Sequence, residues 1–269
     1  RSVLYILNLQ GFAVQQANAR TKAVFALHQW GYPQRMDIIM NEAKKHGWFV
    51  IEDCAHSFGS TYHDRIVGSF GDAAIVSFPK LFPTYVGGAV LSSHADLIAG
   101  VRGVRLGPRL LGHRLFDRIS VHTARQNYLL RQPPFLRQAV YIKSIHFPRI
   151  AQAALRRFPR TIDDLKSEIA RRQYCFQILK QRAGQEYHPQ ALDDGSDVIP
   201  LCVPIFFPEG KLRTAQQMLK EKNIVADILH FDVNRNILNP LYKKCLAFPC
   251  HQRITDEQLS YMCGVISRV

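Results

Sequence analysis

Apolar and polar positions fall into distinct regimes along the 269-residue chain. Lys22-Ala23-Val24-Phe25-Ala26-Leu27 is continuous enough for a buried strand, and Gly31-Tyr32-Pro33 breaks it. From Arg35 to His46, Met36, Ile39, Met40 and Ala43 recur at helix spacing, and Gly47 supplies a left-handed stop. Trp48 to Ile51 begins the next strand. Strand, helix and strand within residues 22–51 form a βαβ unit, which implies parallel pairing. Gly59 to Gly71 is an excursion of turn residues, short enough for a small hairpin. Apolar runs at 73–78 and 88–92 predict two further strands, and a helix is expected from His94 to Val101.

The pattern then deteriorates. From Arg102 to Arg160 the chain is Arg-rich and interrupted by Pro108, Pro133, Pro134, Pro148 and Pro159. A long helix is expected from near Thr161, with Ile162, Leu165, Ile169, Phe176 and Leu179 as its apolar stripe. The tail alternates: strand from Ile199 to Phe207, helix from Leu212 to Lys222, strand from Ile224 to Leu229. A last helix follows Thr255-Asp256-Glu257-Gln258, which has the form of a capping box. The expected architecture is α/β. Residues 1–165 form a partial large domain with a mostly parallel sheet and an Arg-rich insertion at about 102–160. Residues 166–269 comprise the long helix and a smaller C-terminal α/β domain.

Composition adds limits. With 47% apolar and 21% charged residues the chain reads as a folded globular protein rather than a disordered or fibrous one. No run approaches the roughly 18 apolar residues of a membrane span, and no targeting signal opens the chain. It begins with Arg1 and runs directly into Val3-Leu4-Tyr5-Ile6-Leu7, which suggests a trimmed or partial chain. Six cysteines at 54, 175, 202, 245, 250 and 263 include no CxxC pair. Cys245, Cys250, His251 and Cys263 fit no usual zinc spacing, so no metal is expected, and a reducing, cytoplasmic compartment is the simpler reading. The net charge of +14 is concentrated: residues 101–182 hold 18 Lys or Arg against four acids, and elsewhere the charges cancel.

Candidate chemistry lies between Trp48 and Ser93. Asp53 closes the strand that begins with Trp48-Phe49-Val50-Ile51, Ser77 closes the next, Lys80 comes three residues later, and Gly87-Gly88 starts a third. An open α/β sheet binds its ligands at the carboxyl ends of its strands. A carboxylate there could keep a pyridine nitrogen protonated, a serine could donate to a phosphate, and an amine shielded from water could act as a nucleophile. Each residue alone has a plainer reading: an N-cap or ion pair for Asp53, a turn for Ser77, a solvated charge for Lys80, a bulge for the glycines.

Taken in order, these pieces resemble the DegT/DnrJ/EryC1/StrS family of pyridoxal-phosphate-dependent sugar aminotransferases, of fold type I. The resemblance is carried by RTKAVFALHQWGYPQRMDII, KKHGWFVIEDCAHSFGSTY, VGSFGDAAIVSFPK and GGAVLSS, and in the tail by KCLAFPCHQRITDEQL. It implies pyridoxal 5'-phosphate as cofactor, with Asp53 on the pyridine nitrogen, His56 near the phenolic oxygen, Ser77 on the phosphate and Lys80 as the Schiff-base lysine. It also implies a homodimer and a ping-pong exchange, from an amino acid donor such as glutamate to a keto group of a nucleotide-linked sugar, in the making of cell-surface polysaccharide or related glycans. Three features depart from the family pattern. Lys80 stands three rather than five residues after the serine, and Tyr85-Val86 precede Gly87-Gly88 where Gly-Glu-Gly-Gly is usual. The Ser-Gly-Thr phosphate turn and the ring-stacking aromatic of the family's N-terminal portion are not found. The Gly-x-Asn-x-Arg stretch is replaced by the Arg-rich segment. The expected result is the acid and amine sides of a pocket without much of its phosphate cup.

Two other readings remain open. A sugar dehydratase of the same family carries histidine in place of the lysine, which Lys80 disfavours. A degenerate, non-catalytic homologue would act as a scaffold, its basic segment meeting an acidic membrane surface or polyanion. Phe116, Tyr128, Phe135, Tyr141 and Phe147 lie among the arginines and suit such contact, though no specific nucleic acid is implied. A solvated, dimer-packed insertion is the plainer reading of that segment.

Overall fold

The computed structural model describes residues 19–81, 87–103, 162–192, 194–251 and 253–269. The Arg-rich segment between residues 104 and 161, with its aromatics and its proposed contact with an acidic surface, lies outside them.

The first sheet has four strands. β1 (Ala23–Leu27) leads through a short turn into helix α1 (Met36–His46) and then β2 (Phe49–Asp53). Gly47 ends α1 at φ 63°, in the left-handed region. β1 and β2 pair in parallel, as a crossover helix requires. A two-stranded hairpin, β3 (Thr61–Tyr62) and β4 (Arg65–Ile66), interrupts the sheet before β5 (Ala73–Ser77) pairs parallel to β2. β6 (Gly88–Ser92) returns antiparallel to β5 and gives way to helix α2 (Ala95–Gly103). The order is β1-β2-β5-β6. Register places Val24, Ala26, Val50, Ala74 and Val76 on one face, where Met36, Ile39 and Ala43 of α1 complete a buried core. Burial of each valine, isoleucine or methionine in this set stabilises by about 1.5–3 kcal/mol, and of each alanine by less than about 1 kcal/mol.

The second half starts with helix α3 (Ile162–Tyr187), whose buried side includes Arg172, Cys175, Phe176, Leu179 and Ala183. Leu165 and Ile169 of the expected stripe are half-buried. A second sheet of order β7-β9-β8 consists of β7 (Cys202–Ile205), β8 (Asp227–Asp232) and β9 (Tyr242–Pro249), all antiparallel. β7 is shorter and β8 lies about three residues later than their expected spans, and β9 was not expected at all. Helix α4 (Glu209–Glu221) packs Leu212, Ala215 and Leu219 inward. Helix α5 (Asp256–Arg268) opens with the full capping box: Gln258 N–H donates to Thr255 Oγ1 and Thr255 N–H to Gln258 Oε1, both at 3.1 Å. Four of the six thiols are buried, with Cys245 and Cys250 pushed up by desolvation, so these cysteines behave as core residues. Among the described residues no helix is long and apolar enough to cross a membrane.

Candidate active site at the carboxyl edge of the first sheet

Parallel strands β2 and β5 end at the same sheet edge. Asp53 is the last residue of β2, level with Leu27 of β1 and Ile75 of β5. The strand therefore extends two residues past the apolar run seen in the sequence. Register puts Asp53, Ile75 and Ser77 on one face, opposite the α1 core. Ser77 closes β5 two positions beyond Ile75, so its Cα lies roughly 8 Å from that of Asp53 by ordinary strand spacings. On the same face Ile75 and Val90, register partners, are 38% and 37% exposed, so the apolar cover here is incomplete among the described residues.

A short 3-10 turn, Phe78–Lys80, follows Ser77 directly, with Pro79 near its start. It is pinned at both ends: Phe78 N–H donates to Gly87 O at 3.1 Å and Leu81 N–H to Phe78 O at 3.2 Å. Gly88 allows β6 to approach closely, since a Cβ there would stand 2.3 Å from Val76 O. The Lys80 side chain at the end of the turn is exposed, so the described residues do not give it the shielding expected of a nucleophilic amine.

The segment after β2 winds back over the edge. Cys54 N–H donates to Ile75 O at 2.8 Å, Ala55 N–H to Asp53 Oδ1 at 3.0 Å, and Ser57 N–H to Cys54 O at 3.2 Å. The Asp53–Ala55 contact is a local turn that orients the carboxylate. His56, half-buried, is carried into this winding. Its Nδ1 is fully buried and has no hydrogen-bond partner among the described residues. Burial lowers the imidazole pKa to about 4, helped by the Lys80 charge and opposed by Asp53. His56 is thus neutral near pH 7 and lies within the fields of both Asp53 and Lys80. The fold brings together a carboxylate, a neutral imidazole, a hydroxyl and an amine at one sheet edge. Such a set can hold an anion, hold a proton on a heterocycle and transfer a proton.

Glu52 and His28 were not anticipated. Glu52 lies in the core, one residue before Asp53 and on the opposite face. Its Oε1 accepts from the N–H groups of Phe70 and Gly71, and its Oε2 from that of Gly68, all at 2.7 Å. His28 Nδ1 accepts from Gln34 N–H at 3.0 Å, which leaves the proton on Nε2, 3.2 Å from Glu52 Oε2. Burial raises the Glu52 pKa, but these donors outweigh it and the net shift is downward. His28, Glu52 and Cys54 lie close enough to suggest a metal cluster. The His28 nitrogens and Glu52 oxygens are committed, however, and burial pushes the Cys54 thiol up to about 12. Glu52, oriented by His28, instead anchors the loop between β4 and β5. The only sequence signal was Glu-Asp at a strand end, where alternation sends one acid inward and the next outward.

Residues 7–267 match the model of the DegT/DnrJ/EryC1/StrS aminotransferase family. Among curated proteins, GDP-perosamine synthase of Escherichia coli O157:H7 is 41% identical over 85 residues, covering 31% of this chain and 23% of that protein. UDP-N-acetyl-3-dehydro-alpha-D-glucosamine 3-aminotransferase of Acidithiobacillus ferrooxidans is 43% identical over 89 residues, covering 32% and 24%. These matches span about a quarter of the length of the curated relatives. Among solved structures, Helicobacter pylori PseC, an aminotransferase involved in the biosynthesis of pseudoaminic acid, superposes with a TM-score of 0.64 at 16% identity. That alignment covers 94% of this chain and 67% of PseC. At that identity the likeness concerns the fold, the α/β architecture of fold type I aminotransferases.

Proposed function

We propose, from the premise that this chain belongs to the DegT/DnrJ/EryC1/StrS aminotransferase family, that it serves pyridoxal-phosphate-dependent transfer of an amino group from an amino acid to a keto group of a nucleotide-linked sugar. The observation that carries the reading is the edge of the first sheet, where Asp53 and Ser77 share a face and His56 feels both Asp53 and Lys80. The residues present suit the cofactor. The buried, partnerless Nδ1 of a neutral His56 calls for a polar group not supplied by the described residues, and a carboxylate, a hydroxyl and an amine surround the same edge. When bound, pyridoxal phosphate supplies an electron sink that stabilises negative charge on the α-carbon of the donor.

In this reading Asp53 holds the pyridine nitrogen protonated and Ser77 donates to the phosphate. His56 meets the ring near its phenolic oxygen, and Lys80 Nζ anchors the cofactor and carries a proton to and from the donor. Glutamate fits as donor, and the chain's excess positive charge suits an anionic nucleotide. The same reading includes a homodimer, a cytoplasmic setting, a role in polysaccharide biosynthesis, and a division into a cofactor-binding part up to about residue 165 and a smaller part from 166. Lysine at position 80 argues against the dehydratase alternative.

Reconstitution of the full chain with pyridoxal phosphate, borohydride reduction and peptide mapping tests the assignment. The expected product is a cofactor-sized mass on the peptide containing Lys80, absent in Lys80→Met. Cofactor uptake with the label elsewhere, or with none, would overturn it.

A further inference from the structure

The peptide that follows Lys80 is held from the other half of the molecule. Arg172, in the middle of α3, is only 3% exposed. Its Nη2 donates to Leu81 O at 3.0 Å and its Nη1 to Pro200 O at 3.2 Å. Leu81 is itself buried and closes the turn that bears Lys80. Pro200 lies just before β7; its carbonyl also accepts from the Cys250 thiol at 3.2 Å, and the next residue, Leu201, donates to Trp30 O at 2.9 Å. Arg172 therefore joins three segments: the lysine turn, the long helix and the entrance to the second sheet.

A cation at this position is not explained by packing. An apolar side chain of similar volume would fill the space without losing hydration. What the guanidinium adds is a rigid fork of donors, aimed at two carbonyls from segments distant in sequence. Glu168, one helical turn earlier, attracts the Arg172 charge and helps the buried site tolerate it. Two of its donors thus fix backbone, at Leu81 and at Pro200.

We propose that Arg172 is a positioning residue for Lys80, holding the Leu81 carbonyl against α3 and the entrance of β7 so that the amine-bearing turn keeps its place beside Asp53 and His56. Its value to catalysis rests on the function proposed above; the placement of the turn does not. Packing of α3 against the entrance of the second sheet then helps set the lysine's position, so a shift there is passed to the turn through the Arg172 side chain.

His56 reports the distance of the Lys80 charge without any cofactor. In the full chain, with its resonance assigned by comparison with His56→Asn, the imidazole should titrate near 4. Lys80→Met should raise that midpoint, by roughly half a pH unit or more, because a repelling cation is gone. Arg172→Met should raise it too by releasing the turn, but should add little in the Lys80→Met background, since both changes act through one charge. Amide exchange over Phe78–Leu81 should accelerate by about tenfold or more in Arg172→Met. Arg172→Lys, which keeps the charge but loses the fork, should give intermediate values and serves as the test if Arg172→Met fails to fold. Additive shifts in the double variant, or unchanged exchange and midpoint in Arg172→Lys, would overturn the proposal. The two readings fail separately: no borohydride label on Lys80 sinks the cofactor assignment and leaves this coupling intact, whereas a retained label with no coupling sinks the positioning role alone.

Discussion

At the residue scale two adjacent acids at the end of β2 face opposite ways. Asp53 points to the open face, while Glu52 is ionised inside the core and holds Gly68, Phe70, Gly71 and His28 around it. Glu52→Gln replaces one oxygen with an amide NH2 that confronts N–H donors. It should lower unfolding stability by about 2–4 kcal/mol, read by urea denaturation. The pH dependence has a definite sign. The Glu52 carboxyl ionises below its ordinary value of 4.5 in the folded chain, so its contribution is fully present above pH 4.5 and is lost as pH falls through the folded value. His56 acts earlier. Its folded pKa of about 4 lies under an unfolded value of 6.5, so the unfolded chain takes up its proton first and stability declines as pH falls from 6.5 toward 4. Thermal melts across that range should show a shallower slope in His56→Asn than in the wild type. An unchanged slope would mean that the imidazole is not desolvated as described. The place of Asp53 at a strand end was legible in the sequence because it follows an apolar run. Arg172 was not, because an arginine in a helix rich in charge looks like any solvated one until the fold shows what its donors reach.

Elements differ in how far their sequences announce them. The β1-α1-β2 unit was readable because a 3.6-residue period between two apolar runs, closed by glycine, has few other solutions. The hairpin of β3 and β4 was visible as turn residues, although His63 and Asp64 occupy its left-handed positions at φ 46° and 61° without the usual glycine. β9 was hidden: its buried run Cys245-Leu246-Ala247-Phe248 lies between two lysines and a proline, and only its central place between β7 and β8 makes it a strand. The pairing direction of the second sheet depends on contacts between segments some 40 residues apart, which local periodicity does not encode. The β5-β6 ladder has a vulnerable point beside the carboxyl edge of the first sheet. Gly88 is the partner of Ser77 in the β5-β6 ladder. Gly88→Ala would push a Cβ to within 2.3 Å of Val76 O, and a strand backbone cannot yield as a flexible side chain could. A loss of about 1–3 kcal/mol is expected, as for other overpacked sites. Because the contact lies next to Phe78, amide exchange of the Phe78–Leu81 turn should increase with it. Destabilisation without that local increase would separate the β5-β6 approach from the placement of Lys80.

On the scale of the whole molecule, the two sheets are joined by the connection from β1 to α1. Trp30, at φ 54°, packs on Phe231 of β8 with ring centroids 5.3 Å apart. Gln29 donates to His230 O at 2.8 Å and accepts from Asp232 N–H at 3.1 Å, bridging to the second sheet as a strand would. Tyr32 stands edge-on to both Phe176 and Phe231, and its hydroxyl lies 3.0 Å from His188 Nε2. Arg35 N–H, at the start of α1, donates to Arg235 O at 2.8 Å. The Arg235 side chain, buried, grips Asp194 with both Nη atoms and reaches Pro33 O. A connection that is half inside the second core cannot keep its conformation if that core melts, so the halves should unfold as one unit. The chain has two tryptophans, and Trp48→Phe leaves Trp30 as the sole indole reporter at the junction. Trp30 fluorescence and far-UV circular dichroism should then give coincident urea transitions. Asp194→Asn, which removes the negative charge that Arg235 pairs with, should move both transitions to lower urea together, with a loss of stability of about 1–3 kcal/mol for this partly buried pair. If fluorescence changes ahead of the dichroism, the connection opens before the sheets do. In that case the Lys80 turn, tied through Arg172 to Pro200 next to Trp30, would loosen in the same step.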